Sequence, residues 1–158
     1  MKKIFAVVLV TWCLTTAVAF AAEAPRFWNG DTSYPLVWED SQAACYLDKN
    51  SITMKVNDAP YYIITAKIVT TNGTQSYDFF YDEDDADMRI FDRAVADWRY
   101  LNPCEVTAEE KPSMYIGEAV FYVSQGRKFY GNYLWKTTVN DKIDYIDEFN
   151  DGIYNGLR

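Results

Sequence analysis

The side chains that could do chemistry in this chain are carboxylates, phenols and thiols, since its 158 residues include 23 Asp and Glu, 13 Tyr and 3 Cys but no His. The chain therefore lacks the usual general base, the usual partner of a Ser or Cys nucleophile and the commonest metal ligand. A carboxylate pair, as in glycoside hydrolysis, stays possible, but the pattern singles out no two acids. We expect no catalytic residues and no cofactor, and we interpret the chain as non-enzymatic.

The acidic run at 82–87 is the segment most similar to a calcium site, because calcium prefers carboxylate oxygens. An EF-hand loop needs Gly at its sixth position and Glu at its twelfth. Counted from Asp82, those positions hold Asp87 and Arg93, so the motif fails and the run is interpreted as a solvated turn. Two cysteines without histidine make no zinc ligand set. We predict no metal site.

Aromatic residues, at 17% of the chain, are the other group that could form a site. Tyr and Trp offer flat amphipathic surfaces that suit sugar rings and protein hot spots alike. Most of them belong in the core and in cross-strand pairs of a sheet. Those on the mixed faces of the predicted strands are the best candidates for an outward binding patch, which we predict to contain Tyr61, Phe80, Trp98 and Tyr100.

The chain begins with the pattern of a secretory signal. Two lysines follow Met1, residues 4–22 carry no charge, and the A-x-A site at 19–21 predicts cleavage after Ala21. The length would also suit a membrane anchor, but the threonines within it and the A-x-A exit argue against one. A lipidated Cys13 is rejected, because Trp12 stands where a small residue is needed.

Cleavage leaves residues 22–158 as a single exported domain, whose 137 residues (158 − 21) can bury a real core. Loss of Lys2 and Lys3 moves the net charge from −8 to −10. Such a surface repels phosphate backbones and anionic lipid head groups. We therefore expect no nucleic-acid partner and no membrane insertion after cleavage.

Two cysteines remain in the exported part, Cys45 and Cys104. In an oxidising compartment such a pair suggests one disulfide, worth about 4 kcal/mol for a loop of this length in the chain-entropy model. Two buried thiols are the alternative. The disulfide is the favoured prediction by a small margin.

The elements that position these side chains are mostly short strands separated by turn signals. Residues 22–34 are interpreted as a loose lead-in. The pattern then predicts strands at 43–47 and 51–56 with a turn at 48–50, and later strands at 88–92 and 98–101.

The clearest element is a long hairpin over residues 61–81. Tyr62, Ile64, Ala66 and Ile68 alternate with more polar residues, and a second alternating run follows. Asn72-Gly73 lies between them and suits a type I′ turn, because both central positions of that turn require positive φ.

After Pro112 the period changes to that of an amphipathic helix. Its apolar residues recur at helical spacing, with Ser113 as the predicted N-cap and Gly126 as the predicted left-handed C-cap; they are Ile116, Ala119, Val120 and Val123. This helix should cover one face of the sheet.

The tail at 132–158 is ambiguous: 133–138 reads as a strand and 141–157 has near-helical spacing. The predicted fold is α+β, an antiparallel sheet of about five to six strands with a C-terminal amphipathic helix packed on one face.

The order of these motifs resembles a known family. The run from Cys45 to Ile52 resembles the Y-x-D-x-x-S-I opening of the surface-adhesin E-like family of small exported bacterial domains, and the run from Pro112 to Val120 resembles its late G-E helix. The resemblance covers residues 38–125. It implies a small α+β domain, an antiparallel sheet with a helix packed on it, in a family named after members that bind host proteins at the cell surface. The cysteines are placed differently from those of the family, and the tail beyond Gly131 has no counterpart.

These observations lead to one main hypothesis and two alternatives. The main hypothesis is an exported bacterial envelope or surface protein, periplasmic, surface-bound or released, that acts by adhesin-like binding to a protein or glycan. One alternative is a small secreted enzyme that acts on a glycan with carboxylates. The other is a periplasmic inhibitor or accessory subunit that pairs through its sheet edge.

Overall fold

Strands that are joined by short turns usually pair with their sequence neighbours, and here six of them form one antiparallel sheet in sequence order. The computed structural model describes residues 23–104, 107–132, 135–139, 142–146 and 154–157; the predicted export signal lies outside them. The elements are β1 Leu36–Glu39, β2 Ala44–Asp58, β3 Tyr61–Thr70, β4 Gly73–Asp82, β5 Asp87–Asp92, β6 Asp97–Tyr100, α1 Lys111–Gln125, β7 Trp135–Val139 and β8 Lys142–Ile146. The predicted α+β fold is confirmed.

Strand β2 corrects the prediction of two strands with a turn between them. It runs unbroken, but its register against β3 shifts between Asp48 and Thr53. Within this irregular stretch the Ser51 hydroxyl donates to the Asp48 carbonyl and accepts from the Lys67 N–H, both at 2.7 Å. Because a side chain replaces the missing ladder bonds, polar residues that resemble a turn lie in a bulged strand.

A second register shift in β2 lies between Met54 and Val56. These two residues pair with the adjacent Ile64 and Ile63, so Lys55 is an extra residue in the strand. Such bulges bend a strand and increase its twist, and the sheet is accordingly curled.

The predicted hairpin is confirmed as β3 and β4, which pair without interruption from Tyr61↔Asp82 to Thr70↔Gly73. Its turn is displaced by one residue from the prediction. The two connecting residues are Thr71 and Asn72, and in this turn only Gly73 has a positive φ, of 126°. The predicted strands at 88–92 and 98–101 are confirmed as β5, which begins one residue earlier, and β6, which is displaced by one residue.

The predicted amphipathic helix is confirmed as α1. Gly126 ends it with φ 71°, as expected, but Ser113 is not its cap. Instead, Thr107 and Glu110 exchange hydrogen bonds just before the helix: the Glu110 N–H donates to Thr107 Oγ1 and the Thr107 N–H to the Glu110 carboxylate. This T-x-x-E arrangement is a capping box.

None of the helices in the described part of the chain is long and apolar enough to cross a membrane.

Helix α1 packs against the inner face of the sheet, which we define as the face that carries Tyr62, Ile64, Ala66 and Ile68. A glycine permits this close packing: a Cβ at Gly117 would lie 2.4 Å from Met88 Sδ and 3.0 Å from Phe79 Cε1. Nearby, the Tyr81 hydroxyl donates to the Gly117 carbonyl at 2.8 Å. The inner face is therefore filled by the core.

The lead-in and the tail each differ from their predictions. The lead-in is not loose, because the Tyr46 hydroxyl donates to the Pro25 carbonyl at 3.0 Å and the Arg26 guanidinium donates to the Asn155 carbonyl at 2.6 Å. In the tail, the predicted strand is β7, but the helical interpretation of 141–157 is wrong over Lys142–Ile146, which forms β8 and pairs with β7.

Candidate binding face

The four predicted binding residues share the outer face, the side of the sheet opposite α1. On β3, Tyr61 alternates with the buried Tyr62, and its side chain is 49% exposed. Phe80 on β4 alternates with the buried Phe79 and Tyr81. Trp98 and Tyr100 occupy the same side of β6, where Tyr100 is 43% exposed.

Three of the four predicted residues meet in one row of rings. Tyr61 stacks on Phe80 with the centroids 6.3 Å apart, and Phe80 contacts Trp98 at 6.1 Å. Phe91 extends the row, with its ring 5.3 Å from that of Trp98 at an interplanar angle of 68°. Tyr100 makes no ring contact with these aromatics but pairs across the ladder with Arg89.

Two ion pairs interrupt the aromatic surface, and sequence reasoning missed both. Lys55 Nζ lies 2.7 Å from Asp78 Oδ1, and the Arg89 guanidinium binds Asp87 and lies 5.9 Å from the centroid of the Phe80 ring. The hydrogen bond to Asp87 raises the pKa of Arg89. The sequence did indicate that Arg89 and Phe91 lie on the outer face, because both alternate with buried residues along β5. Lys55 and Asp78 are 23 residues apart, so no local pattern joins them.

Asp78 is ionised despite its position in the sheet. Partial burial raises its pKa, but hydrogen bonds from Lys55 and from the Thr65 hydroxyl outweigh that effect and lower the pKa from 3.8. Both donors bind the same oxygen, Oδ1. The other oxygen of Asp78, Oδ2, accepts no hydrogen bond from the described residues.

A cleft opens beside this ion pair. It measures about 270 Å³, lies open to solvent and is lined by Lys55, Ile63, Asp78, Phe91 and Trp98. A carboxylate, an ammonium group and two aromatic rings thus surround one concave part of the outer face.

A second carboxylate, Glu118, lies on the opposite side of the sheet and is fully buried. It accepts hydrogen bonds from the Phe129 N–H at 2.9 Å, the Tyr130 N–H at 2.7 Å and the Tyr154 hydroxyl at 2.7 Å. Loss of solvation outweighs these bonds and raises its pKa from 4.5. Glu118 therefore joins α1 to the segments that follow it. Because it and Asp78 are on different faces, the two cannot act on one bond.

The acidic run after β4 forms a turn, as predicted, with Ala86 at φ 51°. Its Glu83 pairs with Arg127, whose guanidinium nitrogen lies 2.7 Å from Glu83 Oε2. Within the described ranges, no three His, Cys, Asp or Glu side chains converge to hold a metal ion.

The predicted disulfide is not formed in the structure, where Cys45 and Cys104 are both thiols. Cys45 is buried on β2, and burial raises the pKa of its thiol. Cys104 follows β6, and three strands separate β2 from β6 in the sheet order. The thiols therefore belong to opposite parts of the sheet.

Comparisons with protein-family models, curated proteins and solved structures find no match. The resemblance to the surface-adhesin E-like family stays a prediction. The structure does give its residues roles in the fold: Asp48 and Ser51 stabilise the irregular stretch of β2, Gly117 lets α1 approach the sheet, and Glu118 holds the segments beyond the helix.

Proposed function

We propose that this chain is a non-enzymatic binding protein of the bacterial envelope or surface, which is exported by its N-terminal signal and binds its partner through the outer face. The row of rings from Tyr61 through Phe80 to Trp98 carries this proposal. Aromatic side chains at surfaces supply contact area at low entropic cost, and they dominate the binding energy of many interfaces.

The arrangement of the sheet supports a binding role for this face. Phe79 and Tyr81, on the inner face, are fully buried and belong to the core. Phe80 lies between them and contacts only outer-face rings among its aromatic partners. The outer aromatics are thus held on a rigid ladder, which favours binding because little side-chain freedom is lost.

Charge and export limit the class of partner. The mature chain would carry a net charge of −10, which follows from −8 for the full chain and the loss of two lysines. Such a charge disfavours nucleic acid and anionic lipid surfaces. A protein or glycan met outside the cytoplasm fits better, which makes adhesin-like binding the preferred form of the proposal.

A capture experiment with matched variants tests it. Mature protein, residues 22–158, is immobilised and exposed to envelope extracts, beside the double variant Tyr61→Ala/Trp98→Ala. Val95→Ala is the control, because Val95 is 70% exposed in the β5–β6 turn and outside the row of rings. We expect a component that the wild type and the control retain and the double variant loses. Equal retention by all three proteins would contradict a role for the outer face.

A further inference from the structure

The cleft on the outer face has a composition that suits one kind of ligand. Phe91 and Trp98 form two of its sides, with their ring planes 68° apart. Its volume of about 270 Å³ is small, just below the ~300–1,000 Å³ of pockets for drug-sized molecules. One ring-sized group fits this space, and an extended molecule would have to continue onto the open surface around it.

The polar side of the cleft has unused hydrogen-bonding capacity. Asp78 is ionised, and its Oδ1 already accepts from both Lys55 and Thr65, whereas Oδ2 accepts nothing from the described residues. Lys55 uses one of the three donors of its ammonium group here. A ligand that donates a hydrogen bond to the carboxylate and accepts one from the ammonium group would use this capacity. A pair of neighbouring hydroxyl groups can make both hydrogen bonds.

The charge of the site selects against ions. Lys55 and Asp78 form an ion pair at 2.7 Å, and the positive charge of Arg93 also acts on Asp78, so the carboxylate has no uncompensated negative charge to attract a cation. The full chain is negative, at −8, and this repels anions at longer range. A cation would meet an aspartate that is already paired with Lys55. A neutral ligand is therefore preferred.

We propose that this cleft binds a neutral hexopyranose unit of a glycan. The apolar face of the sugar stacks on Trp98 beside Phe91, one hydroxyl donates to Asp78 Oδ2, and an adjacent hydroxyl accepts from Lys55 Nζ. This inference rests on the proposed binding function of the outer face and specifies its partner. The rival partner, a protein loop, becomes one outcome of the test.

Ligand-observed NMR with mature protein tests the inference. The probes are the methyl glycosides of glucose, galactose, mannose and N-acetylglucosamine, with glucuronic acid as the anionic comparison. We expect saturable binding of at least one neutral glycoside and weaker binding of glucuronic acid. Trp98→Ala should weaken that binding about tenfold or more, the equivalent of ~1.4 kcal/mol for one lost stacking partner. Val95→Ala should not change it.

The polar half of the site is tested by Asp78→Asn, which keeps the shape of the side chain, and by Lys55→Met, which keeps its apolar stem. Each should weaken the same glycoside about tenfold, with thermal midpoints confirming that the variants fold. Binding that none of these variants changes, or tighter binding of glucuronic acid, would overturn the inference. No glycoside binding together with capture of a protein that depends on Tyr61 and Trp98 would overturn the glycan and keep the proposed function. No binding of either kind would overturn both.

Discussion

The two faces of the sheet each hold one notable carboxylate, and the two respond to their surroundings in opposite directions. Glu118, on the inner side, accepts three hydrogen bonds from neutral donors, yet loss of solvation raises its pKa. Asp78, on the outer side, is also partly desolvated, but hydrogen bonds from Lys55 and Thr65 lower its pKa. Two features account for the difference: Glu118 is fully buried whereas Asp78 is only partly so, and the paired cation of Asp78 favours the charged form that burial opposes.

The same contrast separates stability from function. Inner-face residues are packed between the sheet and α1, so their removal should unfold the protein. The outer-face residues of β3 to β6 are half-buried or exposed, so their removal should affect binding more than folding. Variants of adjacent or matched residues can test this division directly.

The largest effect should come from Phe79, compared with its neighbour Phe80. Phe79→Ala removes a fully buried ring and should cost about 3–5 kcal/mol of unfolding free energy. Phe80→Ala removes cross-strand contacts with Tyr61 and Trp98 and should cost about 1 kcal/mol. Chemical denaturation of both variants gives the two values. Equal costs would mean that the faces are not divided in this way.

A somewhat smaller loss is expected from Gly117→Val. The added atoms would overlap Met88 and the ring of Phe79, so the helix must move away from the sheet, at a cost of about 3 kcal/mol. Gly156→Ala is the control, since its Cβ would meet nothing within 4 Å, and its stability should change by less than ~0.5 kcal/mol. A wild-type melting temperature for Gly117→Val would contradict the close packing described for α1.

Glu118→Gln should cost about 2 kcal/mol, because an amide nitrogen cannot accept and leaves one of the buried donors of Phe129, Tyr130 or Tyr154 unsatisfied. Glu109→Gln, at an exposed position before α1, should change stability by less than ~0.5 kcal/mol. Urea denaturation of both variants measures the difference. If they are equally stable, Glu118 does not hold the segments beyond the helix.

The pH dependence of stability sharpens the comparison of the two carboxylates. The pKa of Glu118 is raised, so its contribution is fully present below pH 4.5 and is lost as pH rises through the folded pKa. The pKa of Asp78 is lowered, so its contribution is present above pH 3.8 and is lost as pH falls through the folded pKa.

Denaturation at a series of pH values measures both. The stability of wild type minus that of Glu118→Gln should fall with rising pH, and the stability of wild type minus that of Asp78→Asn should fall with falling pH. Slopes of the same sign for the two differences would show that the carboxylates do not respond oppositely.

Local patterns in the sequence predicted what depends on neighbours along the chain. Alternation over 61–81 predicted the hairpin and placed Tyr61 and Phe80 on its outer side, and helical spacing predicted α1 and its C-cap at Gly126. Such periodicity reports which side chains share a face. The periodicity therefore also predicted that the candidate aromatic residues would share one face of the sheet.

The remaining features depend on contacts between distant residues. Glu118 resembles an ordinary helix carboxylate, because its donors lie 11 to 36 residues further along the chain. The turn-like residues after Asp48 stay in a strand because Ser51 bonds to β3. Tertiary hydrogen bonds overrode the local preferences in both cases, and no pattern in one sequence displays them.

The extra residue at position 55 has a consequence for how the cleft is encoded. A regular strand gives each side of a sheet every second residue, whereas here Lys55 reaches Asp78 while its neighbour Val56 pairs with Ile63 on that same side. Two adjacent codons thus place side chains on one side of the sheet, the ammonium group of Lys55 and the apolar side chain of Val56, whose partner Ile63 lines the cleft. A single-codon deletion that abolished the bulge would restore strict alternation and turn one of these two side chains away from the outer face, even if every remaining residue kept its identity. The cleft is therefore sensitive to the length of β2 as well as to its composition.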